Sequence, residues 1–234
     1  MNTFYQVSLL QSLSSGMYDG VISVCDLKSF SNMAIGTFSG ADGELIMLDG
    51  MCYKARLDGS IIEAKNEELI PFSNAVKFIK EDEINISCNS INELKEKLHS
   101  FKNSKYKNLF LVIKIDGLFN SITTRSLPKQ DKPYKPLDYI VEHEQKVITN
   151  KNINGTVIGF CAPEFMSNLN TVDFHMHFIS SDKLIGGHVL DLSFNDIKID
   201  VSTKSNFKLV LSTNKDFVLS DIKNDKEVIK KVEE

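Results

Sequence analysis

His175, His177 and His188 are the residues of this sequence best suited to chemistry. Three of the five histidines of the 234-residue chain lie within fourteen consecutive positions. A single residue separates the first two, so in a β-strand both side chains point to the same face, because strand side chains alternate with a period of two. The apolar residues between and beside them then face the other way, into apolar packing.

A β-hairpin is expected to bring the third histidine to the first two. A short polar run separates the strand that carries the first two from a second β-type run at 186–194. With the turn centred between Asp182 and Lys183, His177 lies directly opposite His188. Directly opposed residues share a face, with Cβ atoms roughly 4.5–5.5 Å apart. One hairpin therefore presents three imidazoles to one point.

Three converging neutral histidines are typical of a metal site. They suit zinc, copper, iron or nickel, and a fourth position left to water or substrate indicates a catalytic site rather than a structural one. Zn2+ is the metal that we expect first. The alternative is that these are ordinary surface or core histidines of a hairpin.

Other polar residues are candidate partners of such a metal. Glu44 follows a tight Asp-Gly turn and opens an otherwise apolar strand, so it can project into a cleft; the alternative is a solvated turn residue. Arg125 follows two threonines in a polar segment, and its guanidinium is suited to clamp a small carboxylate because the fork is always charged and bidentate; the alternative is a surface arginine. Thr37 is a weaker candidate, since a strand threonine needs no function. His99 and His143 fall on predicted helices and are expected at the surface.

The elements that must position these residues are mostly strands. Three Asp-Gly pairs punctuate β-type runs and predict a meander, and Ser90 with Glu93 has capping-box spacing at the head of a helix. The pattern predicts mixed β-sheets with a metal-binding hairpin and a few short helices, an α/β (α+β) protein. We expect strands at 44–48, 51–57, 60–64, 109–115, 156–161 and 186–194 and two short ones within 201–211, helices at 5–13, 90–101 and 137–147, and a loop around 125–136.

Composition limits the classes of partner. The chain is 42% hydrophobic, which argues against disorder over most of its length. Its net charge of −4 and the lack of a long basic cluster argue against nucleic acid as the main partner. No basic and apolar leader opens the sequence, and no apolar run reaches about 18 residues. We therefore expect a cytoplasmic protein that does not bind membranes. The four cysteines are scattered without a C-x-x-C pair, which predicts reduced, mostly buried thiols.

Several motifs also match a known family in order and spacing. They are Gly36-Thr-Phe, Asp42-Gly-Glu-Leu-Ile-Met-Leu-Asp-Gly50, Thr124-Arg-Ser-Leu-Pro128, Asn154-Gly-Thr-Val-Ile-Gly-Phe160 and, most specifically, His-x-His-x10-His ending in Gly-Gly-His-Val-Leu-Asp-Leu192. In these segments the chain resembles the alpha-acetolactate decarboxylase family over nearly its whole length. The segment 28–34 lacks the glycine-rich entry common in that family.

The resemblance implies a zinc enzyme that decarboxylates 2-acetolactate to acetoin, built as an α/β protein of two closely associated parts and usually a homodimer. It implies that the three histidines are the zinc ligands, that Glu44, Arg125 and a C-terminal glutamate are catalytic, and that Thr37 lines the site. The C-terminal glutamate is Glu233, or Glu234 if the match to the family's tail is shifted by one residue. Residues at a chain end are usually frayed. We treat residues 1–234 as one unit, with sub-parts of about 1–120 and 121–234.

Two other classes of function remain open from the residues themselves. One is another enzyme with a three-histidine site, such as a hydrolase or a metal-dependent oxygenase of β-barrel fold, which would not require a carboxylate clamp at Arg125 together with an acid at Glu44. The other is a non-catalytic metal- or ligand-binding β-domain, in which the metal would be closed to further ligands.

Overall fold

Two large β-sheets dominate the computed structural model, which describes residues 2–167 and 169–222. Its strands are β1 Thr3–Val7, β2 Ile22–Ser23, β3 Met33–Thr37, β4 Glu44–Leu48, β5 Met51–Ala55, β6 Ile61–Glu63, β7 Leu69–Ile70, β8 Phe72–Val76, β9 Asp82–Cys88, β10 Phe110–Ser126, β11 Lys146–Cys161, β12 His175–Ser180, β13 Gly186–Lys204 and β14 Asn206–Val210. Its helices are α1 Leu10–Ser14, α2 Val24–Phe30, α3 Ile91–Lys105, α4 Leu137–His143 and α5 Lys215–Leu219, with a 3-10 turn at Glu164–Met166. The prediction of mixed sheets with a few short helices is confirmed.

The first sheet has seven strands in the order β14-β1-β8-β3-β4-β5-β6. Its neighbours are antiparallel except for β1 and β14, which run parallel. The predicted meander is present as β4, β5 and β6, and the tight turns between them account for their short connections. A separate two-stranded pairing joins β2 to β7.

The second sheet has the order β10-β11-β12-β13-β9, and β10 also pairs with β13. The ladders between β10, β11, β12 and β13 therefore form a closed circuit. Helix α3 packs beside this sheet through Leu94 and Leu98, which join its apolar core. Its N-cap Ser90 accepts a hydrogen bond from the backbone N–H of Glu93 at 3.3 Å, as the sequence motif predicts.

A shared apolar core lies between the two sheets and sets which residues meet there. Ile46 of β4 and Ile179 of β12 belong to this core, whereas Leu45 and Met47 pack on the opposite face of the first sheet, towards α2. Because strand side chains alternate, Glu44 shares the face of Ile46, and the histidines of β12 share the face of Ile179. The core thus directs a carboxylate from one sheet and two imidazoles from the other into the same space.

Several predicted boundaries are wrong, and pairing across the sheets explains most of them. The helix predicted at 5–13 is a strand followed by the short helix α1, because β1 is held between β8 and β14. The strand predicted at 109–115 does not end at Asp116-Gly117: β10 continues to Ser126, and Gly117 lies against Ile197, whose Cδ1 would be 2.6 Å from an added Cβ. The helix predicted at 137–147 ends at His143, since β11 already begins at Lys146.

The cysteines agree with the prediction of reduced, mostly buried thiols. All four cysteines are free and three of them are buried. Within residues 2–167 and 169–222, none of the helices combines the length and the apolar composition that a membrane span needs.

Candidate metal centre

The β12–β13 hairpin brings the three histidines together in the predicted register. His177 pairs directly with His188 across the two strands. The turn closes as expected around Asp182 and Lys183: the Ser180 hydroxyl donates to the Asp182 carboxylate at 2.6 Å, and Lys183 adopts a φ of 60°. The apolar residues that alternate with the histidines lie in the core on the other face of the strand, which confirms the predicted orientation.

The imidazole nitrogens of the three histidines converge. Nε2 of His175 lies 3.0 Å from Nε2 of His177 and 3.1 Å from Nδ1 of His188. All three side chains are buried. Among the described residues they are the one group of histidine, cysteine or acidic side chains whose ligand atoms, all within 4.8 Å of one another, could hold a metal ion.

Burial keeps these imidazoles neutral. It lowers the pKa of His177 to about 3, and burial together with the positive charge of neighbouring side chains lowers the pKa of His175 and His188 well below the ordinary 6.5. A metal ligand must offer a lone pair, so a histidine has to be neutral to bind. The donor set therefore fits a divalent metal such as zinc at neutral pH without first losing protons.

The first sheet orients one of these ligands. Nδ1 of His177 donates a hydrogen bond of 2.9 Å to the backbone carbonyl oxygen of Leu45 on β4. With its proton on Nδ1, the ring keeps the lone pair of Nε2 for the cluster, which is the usual way that proteins fix a ligand's tautomer. This contact was not foreseen in the sequence, because a backbone carbonyl leaves no residue-type signal.

Glu44 and Thr37 face each other at the end of the β3–β4 hairpin and approach the histidines from the first sheet. Oε2 of Glu44 lies 3.6 Å from Nε2 of His177, and its side chain is buried. The hydroxyl of Thr37 donates to the Gly43 carbonyl oxygen at 2.7 Å, which steadies the turn that precedes Glu44. The interpretation of Glu44 as a solvated turn residue is wrong.

Arg125 reaches the site from the second sheet. It lies near the end of β10 directly opposite His188, not in a loop as predicted, and its side chain is buried rather than at the surface. The strands approach closely here because Gly187 has no side chain: a Cβ would lie 2.6 Å from the Arg125 carbonyl oxygen. The guanidinium is thereby placed next to the histidine cluster, where its charge contributes to the lowered pKa values.

These candidate side chains other than His177 line one small cavity of about 30 Å³. Its polar lining comprises Thr37, Glu44, Arg125, His175 and His188. The structure thus brings a carboxylate, a guanidinium and a three-nitrogen cluster around one space, enough to bind a metal, hold an anionic group and transfer a proton.

The remaining candidates stand apart from this cavity. Glu233 and Glu234 lie outside the described residues. His143 is exposed at the end of α4, as predicted. His99 is half-buried, and its Nε2 lies 2.8 Å from the Asp173 carboxylate, so it links α3 to the start of the histidine strand rather than lying free at the surface.

Comparison with known proteins agrees with this architecture. The alpha-acetolactate decarboxylase family model matches residues 4–224. The chain is 36% identical to an alpha-acetolactate decarboxylase of Methanosarcina mazei, over 99% of this chain and 80% of that protein, and 34% identical to that of Bacillus subtilis strain 168, over 96% and 87%. The crystal structure of the Bacillus subtilis strain 168 enzyme superposes with a TM-score of 0.93 at 32% identity, covering 99% of both chains. Because the match in sequence and fold spans almost the entire chain, this protein belongs to the alpha-acetolactate decarboxylase family and is an enzyme of the decarboxylase type.

Proposed function

We propose that this chain is a zinc-dependent carboxy-lyase that converts 2-acetolactate (2-hydroxy-2-methyl-3-oxobutanoate) to acetoin and CO2, in the biosynthesis of acetoin and butanediol. The observation that carries the proposal is the buried cluster of three neutral histidines beside Glu44 and Arg125, in a chain of this family. Family membership favours decarboxylation over the hydrolase, the oxygenase and the non-catalytic β-domain that the residues alone left open.

His175, His177 and His188 would hold the zinc ion. Nitrogen ligands of this kind suit zinc, and three protein ligands leave a position for substrate. When bound, zinc would supply a Lewis acid that draws electron density onto the substrate's ketone oxygen. The hydrogen bond from His177 to the Leu45 carbonyl keeps that ligand in one tautomer throughout.

Arg125 would hold the substrate carboxylate until it leaves as CO2. Its planar fork offers two parallel donors to a carboxylate, and a charge-assisted bond of this type is strongest where water is excluded. Arg125 is buried and lines the same cavity as His175 and His188. A carboxylate gripped there would lie beside the histidine cluster, in the position that the reaction requires.

Proton transfer would fall to carboxyl groups. Loss of CO2 from a β-keto acid leaves an electron pair that moves onto the ketone oxygen, and a carbon of the resulting enediolate must then be protonated. Glu44, within reach of the cluster, would assist proton transfer at the substrate hydroxyl, while Glu233 or Glu234 would deliver the proton to carbon. Thr37 would line the cavity and hold the turn next to Glu44.

We further propose that the protein works as a cytoplasmic homodimer. The small molecule 2-acetolactate is its expected partner, and neither nucleic acid nor membrane is expected to take part in its function.

Metal analysis of the purified protein, combined with acetoin formation from racemic 2-acetolactate, tests the proposal. We expect about one zinc per chain and production of acetoin that stops when the metal is removed by a chelator and returns on adding Zn2+. Zinc-loaded protein that releases no acetoin or CO2 from this substrate would refute the proposed reaction.

A further inference from the structure

The residues that line the cavity at the histidine cluster are of two chemical kinds. The polar residues, called the polar end below, are described above. The apolar residues, called the apolar wall or apolar end below, are Leu13, Ala41, Phe72, Leu127 and Leu137, which pack in one cluster. A molecule that fills this cavity therefore meets both charged or hydrogen-bonding groups and hydrocarbon.

The apolar wall is the inner surface of a packed core. Its five residues all belong to one cluster, in which Leu10 and Ile140 pack behind them. Leu13 lies on α1 and Leu137 on α4, two helices in contact with each other. Because protein interiors are close-packed, such a supported wall responds to a change of a single methylene group. The size of this end of the cavity is therefore set by these leucines.

The chemistry of the substrate class fits this division, on the basis of the proposed function. The carboxylate, hydroxyl and ketone of a 2-hydroxy-3-oxo acid need polar partners, because burying such groups without hydrogen bonds is costly. Those partners lie at the polar end. The alkyl substituent on C2 has no such requirement, and its burial against hydrocarbon is favourable.

We propose that the apolar end of the cavity, formed chiefly by Leu13, Leu127 and Leu137, receives the alkyl group on C2 of the substrate and determines how large that group can be. The cavity is already small, about 30 Å³, and its apolar side chains are closely packed, so a larger alkyl group would have to displace them. These leucines act as specificity-determining residues: they contact the part of the substrate that does not react.

Substitutions at Leu137 test this assignment in both directions. The measured quantity is the ratio of kcat/KM for the C2-ethyl homologue, 2-ethyl-2-hydroxy-3-oxobutanoate, to that for 2-acetolactate. One methylene in an apolar pocket changes discrimination by about 10- to 200-fold. We therefore expect Leu137→Ala to raise the ratio by about 10-fold or more and Leu137→Phe to lower it.

A matched control separates this effect from a general loss of core packing. Leu98 is buried in the core beside α3, away from the cavity lining, and Leu98→Ala should leave the ratio unchanged. A ratio of two substrates on one preparation is independent of the fraction of folded enzyme. Leu127→Val, a milder change, serves if the Leu137 variants do not fold, and should raise the ratio by a smaller factor.

The outcomes distinguish this inference from the proposed function. A wild-type enzyme that does not decarboxylate 2-acetolactate overturns both. An active wild-type enzyme whose ratio stays within about twofold in the folded variants at Leu137 or Leu127 overturns the role of the apolar wall alone.

Discussion

Replacing Glu44 by glutamine is expected to slow decarboxylation strongly while leaving the metal in place. Glutamine has nearly the shape of glutamate, so the buried side chain between β3 and the histidine cluster keeps its volume. What it loses is the negative charge and the ability to accept or release a proton 3.6 Å from Nε2 of His177. The change therefore isolates the acid–base role.

The size of the effect follows from that role. A positioned acid or base contributes about 10²–10⁴-fold to the rate, which corresponds to roughly 2.7–5.4 kcal/mol in the activation barrier. We expect a fall of kcat within this range. Metal content should stay at the wild-type level, because the three converging nitrogens belong to the histidines alone.

The assay is acetoin formation under saturating 2-acetolactate, with zinc content and thermal unfolding measured on the same preparation. Glu63→Gln is the matched control, since Glu63 is exposed on β6 of the same sheet, and it should retain wild-type kinetics. Wild-type kcat in the Glu44→Gln enzyme would refute a proton-transfer role. Loss of zinc in that variant would instead assign Glu44 to the metal.

Three further predictions concern charge and protons. Arg125→Lys should keep zinc but lose about 10- to 100-fold in kcat/KM, because lysine keeps the charge without the planar two-point grip. A wild-type kcat/KM in this variant would refute the role of Arg125 as a carboxylate clamp. The free energy of unfolding of the metal-free protein should fall as the pH drops from about 6.5 to 5, because a histidine of the unfolded chain takes up a proton in this window while His177 in the folded protein, with a pKa of about 3, stays neutral. Each such histidine contributes at most about 1.4 kcal/mol per pH unit. A free energy of unfolding, measured with urea, that does not decrease over this interval would contradict the prediction. Deleting Glu233 and Glu234 should leave folding and zinc binding intact but slow decarboxylation by about 10²–10⁴-fold if one of them is the proton donor; an unchanged rate would move that role to Glu44 or to a water molecule.

The histidine hairpin could be predicted from sequence because its signals are local. Alternation places His175 and His177 on one face of the strand. The polar turn at Asp182, only a few residues further along the chain, determines that His188 lies opposite His177. The same locality holds for the meander of short strands and for the cap at Ser90. Each of these features depends on neighbours in sequence, so the residues themselves carry the information.

The rest of the site depends on contacts between distant segments. Arg125 belongs to a strand rather than a loop because β10 is held on both sides, by β11 and by β13. The hydrogen bond to the carbonyl of Leu45, 132 positions away in sequence, determines which ring nitrogen of His177 carries the proton. Leu13 and Leu137 reach the cavity only because α1 and α4 pack together. The residue pattern within either helix alone does not predict that these leucines line the cavity.

Zinc content and acetoin formation, measured together on His177→Ala and on the wild-type enzyme, test the central claim most directly. We expect that the variant purifies without zinc and makes no acetoin even after Zn2+ is added, whereas His143→Ala, altered at an exposed histidine on α4, behaves as the wild type. A folded His177→Ala protein with normal zinc content and normal turnover would contradict the metal centre described here.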